Sequence, residues 1–122
     1  YPFKKNEFEL VLMRNVLEHI SDPVKTLKEV TRITKKGGKI LITLPHAFSY
    51  AFITDITHKT SFSENSFDKE LLKNYELENL RLREKKLIYQ TKWKKFIPLK
   101  KFFKNFLNNI YEDLYFEFIV EK

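Results

Sequence analysis

The chain has 122 residues, 43% hydrophobic and 32% charged, a balance that suits one globular domain and excludes a disordered or fibrous chain. Cysteine is absent, which excludes disulfides and thiolate metal sites, and no apolar run reaches the roughly 20 residues that span a bilayer, so a cytoplasmic location is expected. The net charge of +7 is uneven: residues 81–104 hold ten Lys or Arg against the single acid Glu84, leaving the remainder slightly acidic.

In chain order, "FELVLM" (Phe8 to Met13) is apolar except for Glu9 and predicts a strand buried on both faces. The polar turn "RNVLEHIS" follows. Asp22 is then a good N-cap and Pro23 suits a first helical position. Val24, Leu27, Val30 and Thr34 mark one face of a helix, which Gly37-Gly38 is expected to end. "KILITLP" is a second strand, stopped by Pro45. Strand, helix and strand in this order predict a parallel crossover.

Residues 46–63 have no clear period. Near Ser63 or Ser66 a second helix begins, with Phe67, Leu71, Leu72 and Tyr75 on its apolar face. Leu80 to Trp93 reads as a longer strand. Leu99 to Ile110 carries a Phe-rich stripe opposite Lys100, Lys101 and Lys104, which predicts an amphipathic helix. Leu114 to Val120 alternates and closes the chain as a strand. The expectation is one α/β domain over residues 1–122, with about four strands and about three helices.

The two glycines are adjacent, so no spaced glycine loop for cradling a phosphate or nucleotide can be built. Ligands of open α/β sheets sit outside the C-terminal ends of parallel strands. Arg14, Asn15, Glu18 and His19 emerge at one such end and His46 at the next, while Asp55 and His58 lie in "DITHKTSF". The spacing of 19, 46, 55 and 58 matches no compact ligand motif, so no metal site is expected. Asp55 and His58 are expected to fix their loop through side-chain-to-backbone bonds, with acceptor recognition as a second role. For Glu18 and His19 the plain alternative is that they satisfy backbone groups ahead of the Asp22 cap.

The segment "FELVLMRNVLEHISDPVKTLKEVTRITKKGGKILITLP", followed by "DITHKTSFSENSF", resembles the C-terminal half of class I S-adenosylmethionine-dependent methyltransferases, in particular a bacterial and archaeal subgroup. The last residues more loosely resemble enzymes of cell-surface glycan biosynthesis. The resemblance implies a partial Rossmann-like sheet whose last strand is antiparallel. It places Arg14 and Asn15 beside the cofactor's methionine moiety and Leu17 in apolar packing near it. Glu18, His46, Asp55 and His58 would face the acceptor, a small molecule or glycan, with His19 as base or orienting group. The glycine-rich loop and ribose-binding acid of that family precede the matching segment, so S-adenosylmethionine binding by this chain alone is not expected.

An edge left on strand 8–13 would invite the N-terminal half of the fold or a second copy of the chain, making a homodimer. That expectation defines a second reading, a non-catalytic interaction module. The basic and aromatic segment 92–107 suits peripheral contact with a membrane. Nucleic acid is not an expected partner, because no recognition module is present.

Overall fold

The computed structural model describes residues 2–88 and 113–122. Strand β1 (Phe8–Arg14) leads through a single 3-10 turn (Leu17–His19) to helix α1 (Pro23–Ile33). Strand β2 (Thr34–Pro45), two short helices α2 (Tyr50–Thr54) and α3 (Lys69–Asn74), and strands β3 (Leu80–Ile88) and β4 (Asp113–Val120) follow. The sheet order is β1-β2-β4-β3, with β1 parallel to β2 and β4 antiparallel to both its neighbours. This is the expected mixed four-stranded sheet with three helices.

Alternation in β2 and β4 builds the core. Ile40, Ile42 and Leu44 stand opposite Phe118, Phe116 and Leu114, and all six are fully buried. Such side chains contribute about 1.5–3 kcal/mol each before ordering entropy is subtracted. Phe67 meets Phe116 and Phe118 edge-on, with ring centroids 4.8 and 5.2 Å away. Leu27 and Val30 of α1 join the same cluster. The Asp22 carboxylate accepts from the Lys25 amide at 3.0 Å, as its sequence position predicts.

Three expectations are corrected. First, β1 is not buried on both faces. Val11 and Met13 stand beside Ile40 and Ile42 and pack on the core, whereas Leu10 and Leu12 are 51% and 59% exposed. Among the described strands β1 lies at the edge of the sheet. Second, α3 begins at Lys69, so Phe67 packs from the loop ahead of the helix. Third, Gly37 and Gly38 do not end α1. The helix closes at Thr34, whose amide donates to the Val30 carbonyl and whose hydroxyl donates to the same oxygen at 2.7 Å. The Lys122 ammonium also donates to the carbonyls of Arg32 and Thr34 at this end.

The glycines instead form a bulge inside β2. Phe8 pairs with Thr34 but Leu10 pairs with Lys39, so Glu9 alone faces four residues of the partner strand. Gly37 takes a φ of +77°, the left-handed region that favours glycine. Gly38 is required by proximity: a Cβ there would lie 2.8 Å from Thr34 Cγ2, 2.9 Å from the Lys35 carbonyl and 3.0 Å from the Glu9 carbonyl.

Residues 89–93 of the expected long strand, the expected helix Leu99–Ile110 and the membrane-contact segment 92–107 lie outside the described residues. Among the described residues no helix is long and apolar enough to cross a membrane. The described part of the basic stretch is paired with acids: Arg81 with Glu121, Arg83 with Glu117, Lys85 with Asp68 and Lys86 with Glu84.

Gly38→Ala should destabilise the fold by about 1–3 kcal/mol through overpacking against backbone. Gly37→Ala, with open space around it, should cost only the roughly 1–2 kcal/mol of a left-handed non-glycine residue. Urea denaturation of the two variants checks the ranking.

Candidate functional site

The C-terminal ends of β1 and β2 lie on one edge of the sheet because the strands are parallel. Asn15 turns the chain out of β1 with φ +51°, a conformation asparagine tolerates, and its amide donates to the Thr43 carbonyl at 2.9 Å. Arg14 and Asn15 are exposed at this edge. Leu17 is fully buried in the core cluster, so it presents no surface to a ligand and instead anchors the turn.

That anchoring carries Glu18 inward and leaves His19 half-exposed. The Glu18 carbonyl accepts from the amides of Lys59 and Thr60 at 2.7 and 3.1 Å, and the Thr60 hydroxyl donates to the Ile20 carbonyl at 2.9 Å. These bonds bring the 55–60 loop onto the turn after β1. His19 and His58, 39 positions apart, thereby come to a ring-centroid distance of 4.7 Å. A nitrogen of each ring and a carboxylate oxygen of Glu18 lie within 4.8 Å of one another.

The hydrogen-bond network assigns the tautomers. The Thr57 hydroxyl donates to Asp55 Oδ1 at 2.6 Å, so at 3.1 Å it accepts from His19 Nδ1–H. His58 Nδ1–H donates to the Phe52 carbonyl at 2.8 Å, and its ring stacks on that of Phe52. In the neutral form of each ring the lone pair would fall on Nε2. His19 Nε2 is 3.8 Å from Glu18 Oε1, and His58 Nε2 is 3.6 Å from Asp55 Oδ2. Glu18 is 1% exposed, and its Oε2 has no hydrogen-bond partner.

His46 does not join this group. It is buried, its Nδ1 accepts from the Phe48 amide at 3.1 Å, and its Nε2 lies 2.9 Å from Glu64 Oε2. Pairing with Glu64 pins the loop that leaves β2. A concavity of about 760 Å³ with Leu72, Leu80 and Leu82 in its wall shares no residue with the histidine cluster.

Sequence reasoning missed α2 and Thr57. The signal for α2 was Ser49, whose hydroxyl accepts from the Phe52 amide as an N-cap. The signal for Thr57 was the Asp-x-Thr spacing, which makes a local turn. The Asp55 carboxylate accepts from both the hydroxyl and the amide of Thr57. Those bonds, then the neighbouring His58 and His19, hold its pKa below the ordinary value of 3.8.

A carboxyl whose pKa is depressed by folding adds stability above its unfolded pKa and loses it as pH falls through the folded value. Asp55→Asn should thus be less stable than the parent at pH 7, with the difference shrinking on acidification to about pH 3. Urea midpoints at the two pH values provide the check.

Residues 1–42 match the methyltransferase domain family. An uncharacterised Methanocaldococcus jannaschii protein is 46% identical over 41 residues, which are 34% of this chain and 20% of that protein. Among solved structures, the complex between the Haloferax volcanii Trm112 methyltransferase activator and a protein assigned as a methyltransferase matches at TM-score 0.70 and 17% identity. The match covers 100% of this chain and 57% of that one. Haemonchus contortus phosphoethanolamine N-methyltransferase 2, in complex with S-adenosyl-L-methionine, matches at TM-score 0.61 and 16% identity, covering 100% of this chain and 35% of that one. The chain thus spans about a fifth of the curated relative and little more than half of the Haloferax chain. Residues 1–42 thus match the methyltransferase domain family in sequence, and over its length the chain shares the fold of these solved methyltransferase structures.

Proposed function

We propose that this chain forms the acceptor-facing part of an enzyme that transfers a methyl group from S-adenosylmethionine to a hydroxyl-bearing small molecule or glycan. The observation that carries the reading is His19: its Nε2 lone pair stands at the C-terminal end of β1, and its ring is 37% exposed. There it would accept the proton of an acceptor hydroxyl, an effect worth typically 10²–10⁴-fold in rate. Arg14 and Asn15 would flank the cofactor, Glu18 and His58 would support the pocket wall, and Asp55 would orient His19 through Thr57. His46 would act indirectly, by fixing the loop after β2.

In this reading the chain alone would not cradle S-adenosylmethionine. Its two glycines are occupied in the β2 bulge, away from any strand–helix loop. Calorimetric titration of the chain should therefore show no saturable S-adenosylmethionine binding below about 1 mM. Coexpression with the glycine-loop half of a methyltransferase of this fold should bring binding into the micromolar range and permit transfer of labelled methyl to a hydroxyl-rich glycan fraction. Transfer that persists undiminished in His19→Ala would remove His19 as the base.

The exposed Leu10 and Leu12 on an edge strand favour a second reading, a sheet completed by a partner chain. Between Phe8 and Met13 only Glu9 is charged, so little discourages strand addition. A second copy pairing antiparallel through β1 would make a two-fold dimer. The N-terminal half of the fold would compete for the same edge. Light scattering at micromolar concentration should show the dimer, and Leu10→Lys with Leu12→Lys should weaken it at least tenfold without unfolding the chain. A monomeric parent would count against this reading.

A further inference from the structure

We propose that Glu18, His19 and His58 form a binding site for a divalent first-row transition ion, with zinc as the reference case. A bound ion would occupy the His19 Nε2 lone pair, so this site stands in place of the role of His19 as base, and its ligands and its test involve no S-adenosylmethionine. Three ligand atoms within 4.8 Å of one another form the cluster. Around a tetrahedral ion with bonds of about 2.0–2.2 Å, ligand atoms stand roughly 3.3 Å apart, so closure needs side-chain movements of 1–2 Å at most.

Two further observations point to a cation. The Glu18 carboxyl group is 1% exposed and its Oε2 is unpartnered, an arrangement that is costly for a buried polar group. In addition, each histidine spends its Nδ1–H elsewhere, His19 on the Thr57 hydroxyl and His58 on the Phe52 carbonyl. A nitrogen of each ring and a carboxyl oxygen of Glu18 thus lie together while each Nδ1 is bonded outside the cluster. A metal ion would fill the space between them, and the outward Nδ1–H bonds are the outer-shell contacts that orient ligating histidines.

The donor set selects the ion class. Two imidazoles with one carboxylate suit zinc, cobalt, nickel, iron or manganese better than calcium or magnesium, which prefer oxygen. Three protein ligands leave a position open, and the half-exposed His19 puts that position toward solvent. Asp55 Oδ2, 3.6 Å from His58 Nε2, adds negative charge at the rim. An oxygen-bearing small molecule would be the natural fourth ligand.

The test titrates the purified chain with Zn²⁺ in competition with a chromophoric chelator and repeats the titration with Co²⁺, read by its visible absorption. One ion per chain with a Kd in the micromolar range or tighter is expected, together with a rise in thermal midpoint on adding Zn²⁺. Glu18→Gln and His58→Ala should each weaken binding at least tenfold and abolish the midpoint rise. Should either variant fail to fold by circular dichroism, His19→Ala at the exposed ring carries the same comparison. Absence of binding below millimolar Zn²⁺, or affinity unchanged in folded variants, would overturn the proposal.

Discussion

Strand β2 is the constraint on which the rest of the structure depends. It alone pairs with both β1 and β4, and its alternating Ile40, Ile42 and Leu44 set the register of the whole core. A one-residue slip would turn this face outward and expose three of the most buried side chains in the molecule. The bulge at Gly37-Gly38 makes that register compatible with a helix that ends only at Ile33. Four residues of β2 are absorbed opposite Glu9, after which pairing with β1 proceeds one for one from Leu10 to Arg14. A glycine at 38 is therefore a condition of strand pairing rather than a helix stop.

The parallel β1–β2 pair defines an edge, and a few backbone bonds turn that edge into a site. Leu17 anchors the turn from below. The Glu18 carbonyl, held by the Lys59 and Thr60 amides, fastens the distant loop above it. With the loop in place, His58 comes over His19, and the Asp55–Thr57 turn fixes the His19 ring. The resulting concentration of acceptors around a buried carboxylate is unfavourable in isolation. Such local conflict is common where a ligand is meant to complete the arrangement.

Charge is arranged in a different way. The described portion of the basic stretch meets acids on β3 itself, on β4 and just beyond it, and ahead of α3, and Glu117 of β4 is approached by both Arg83 and Lys39 of β2. The exposed pairs among them contribute little stability, typically about 0–1 kcal/mol, whereas Glu117 is buried between its two partners. The positive balance of the sequence is thus carried mainly by residues 89–112, outside the described part.

The sequence by itself determined the elements whose cause is local. Period-two alternation marked β4, the apolar run stopped by Pro45 marked β2, Asp22-Pro23 marked the start of α1, and strand–helix–strand order pointed to the parallel pair. Resemblance of "RNVLEH" and "DITHKTSF" to methyltransferases located the edge that carries the candidate site. Tertiary structure decided what depends on neighbours. Leu10 and Leu12 are as apolar as Ile40 and Ile42, yet they are exposed because they point to the face of the sheet opposite the core on which Val11 and Met13 pack. Gly37-Gly38 looks like a helix stop, yet the approach of the Glu9 carbonyl makes it a bulge. Positions 18, 19 and 58 have no ligand spacing along the chain. They meet because two amides of a loop find one carbonyl of a turn, a contact between segments about 40 residues apart that no local pattern encodes.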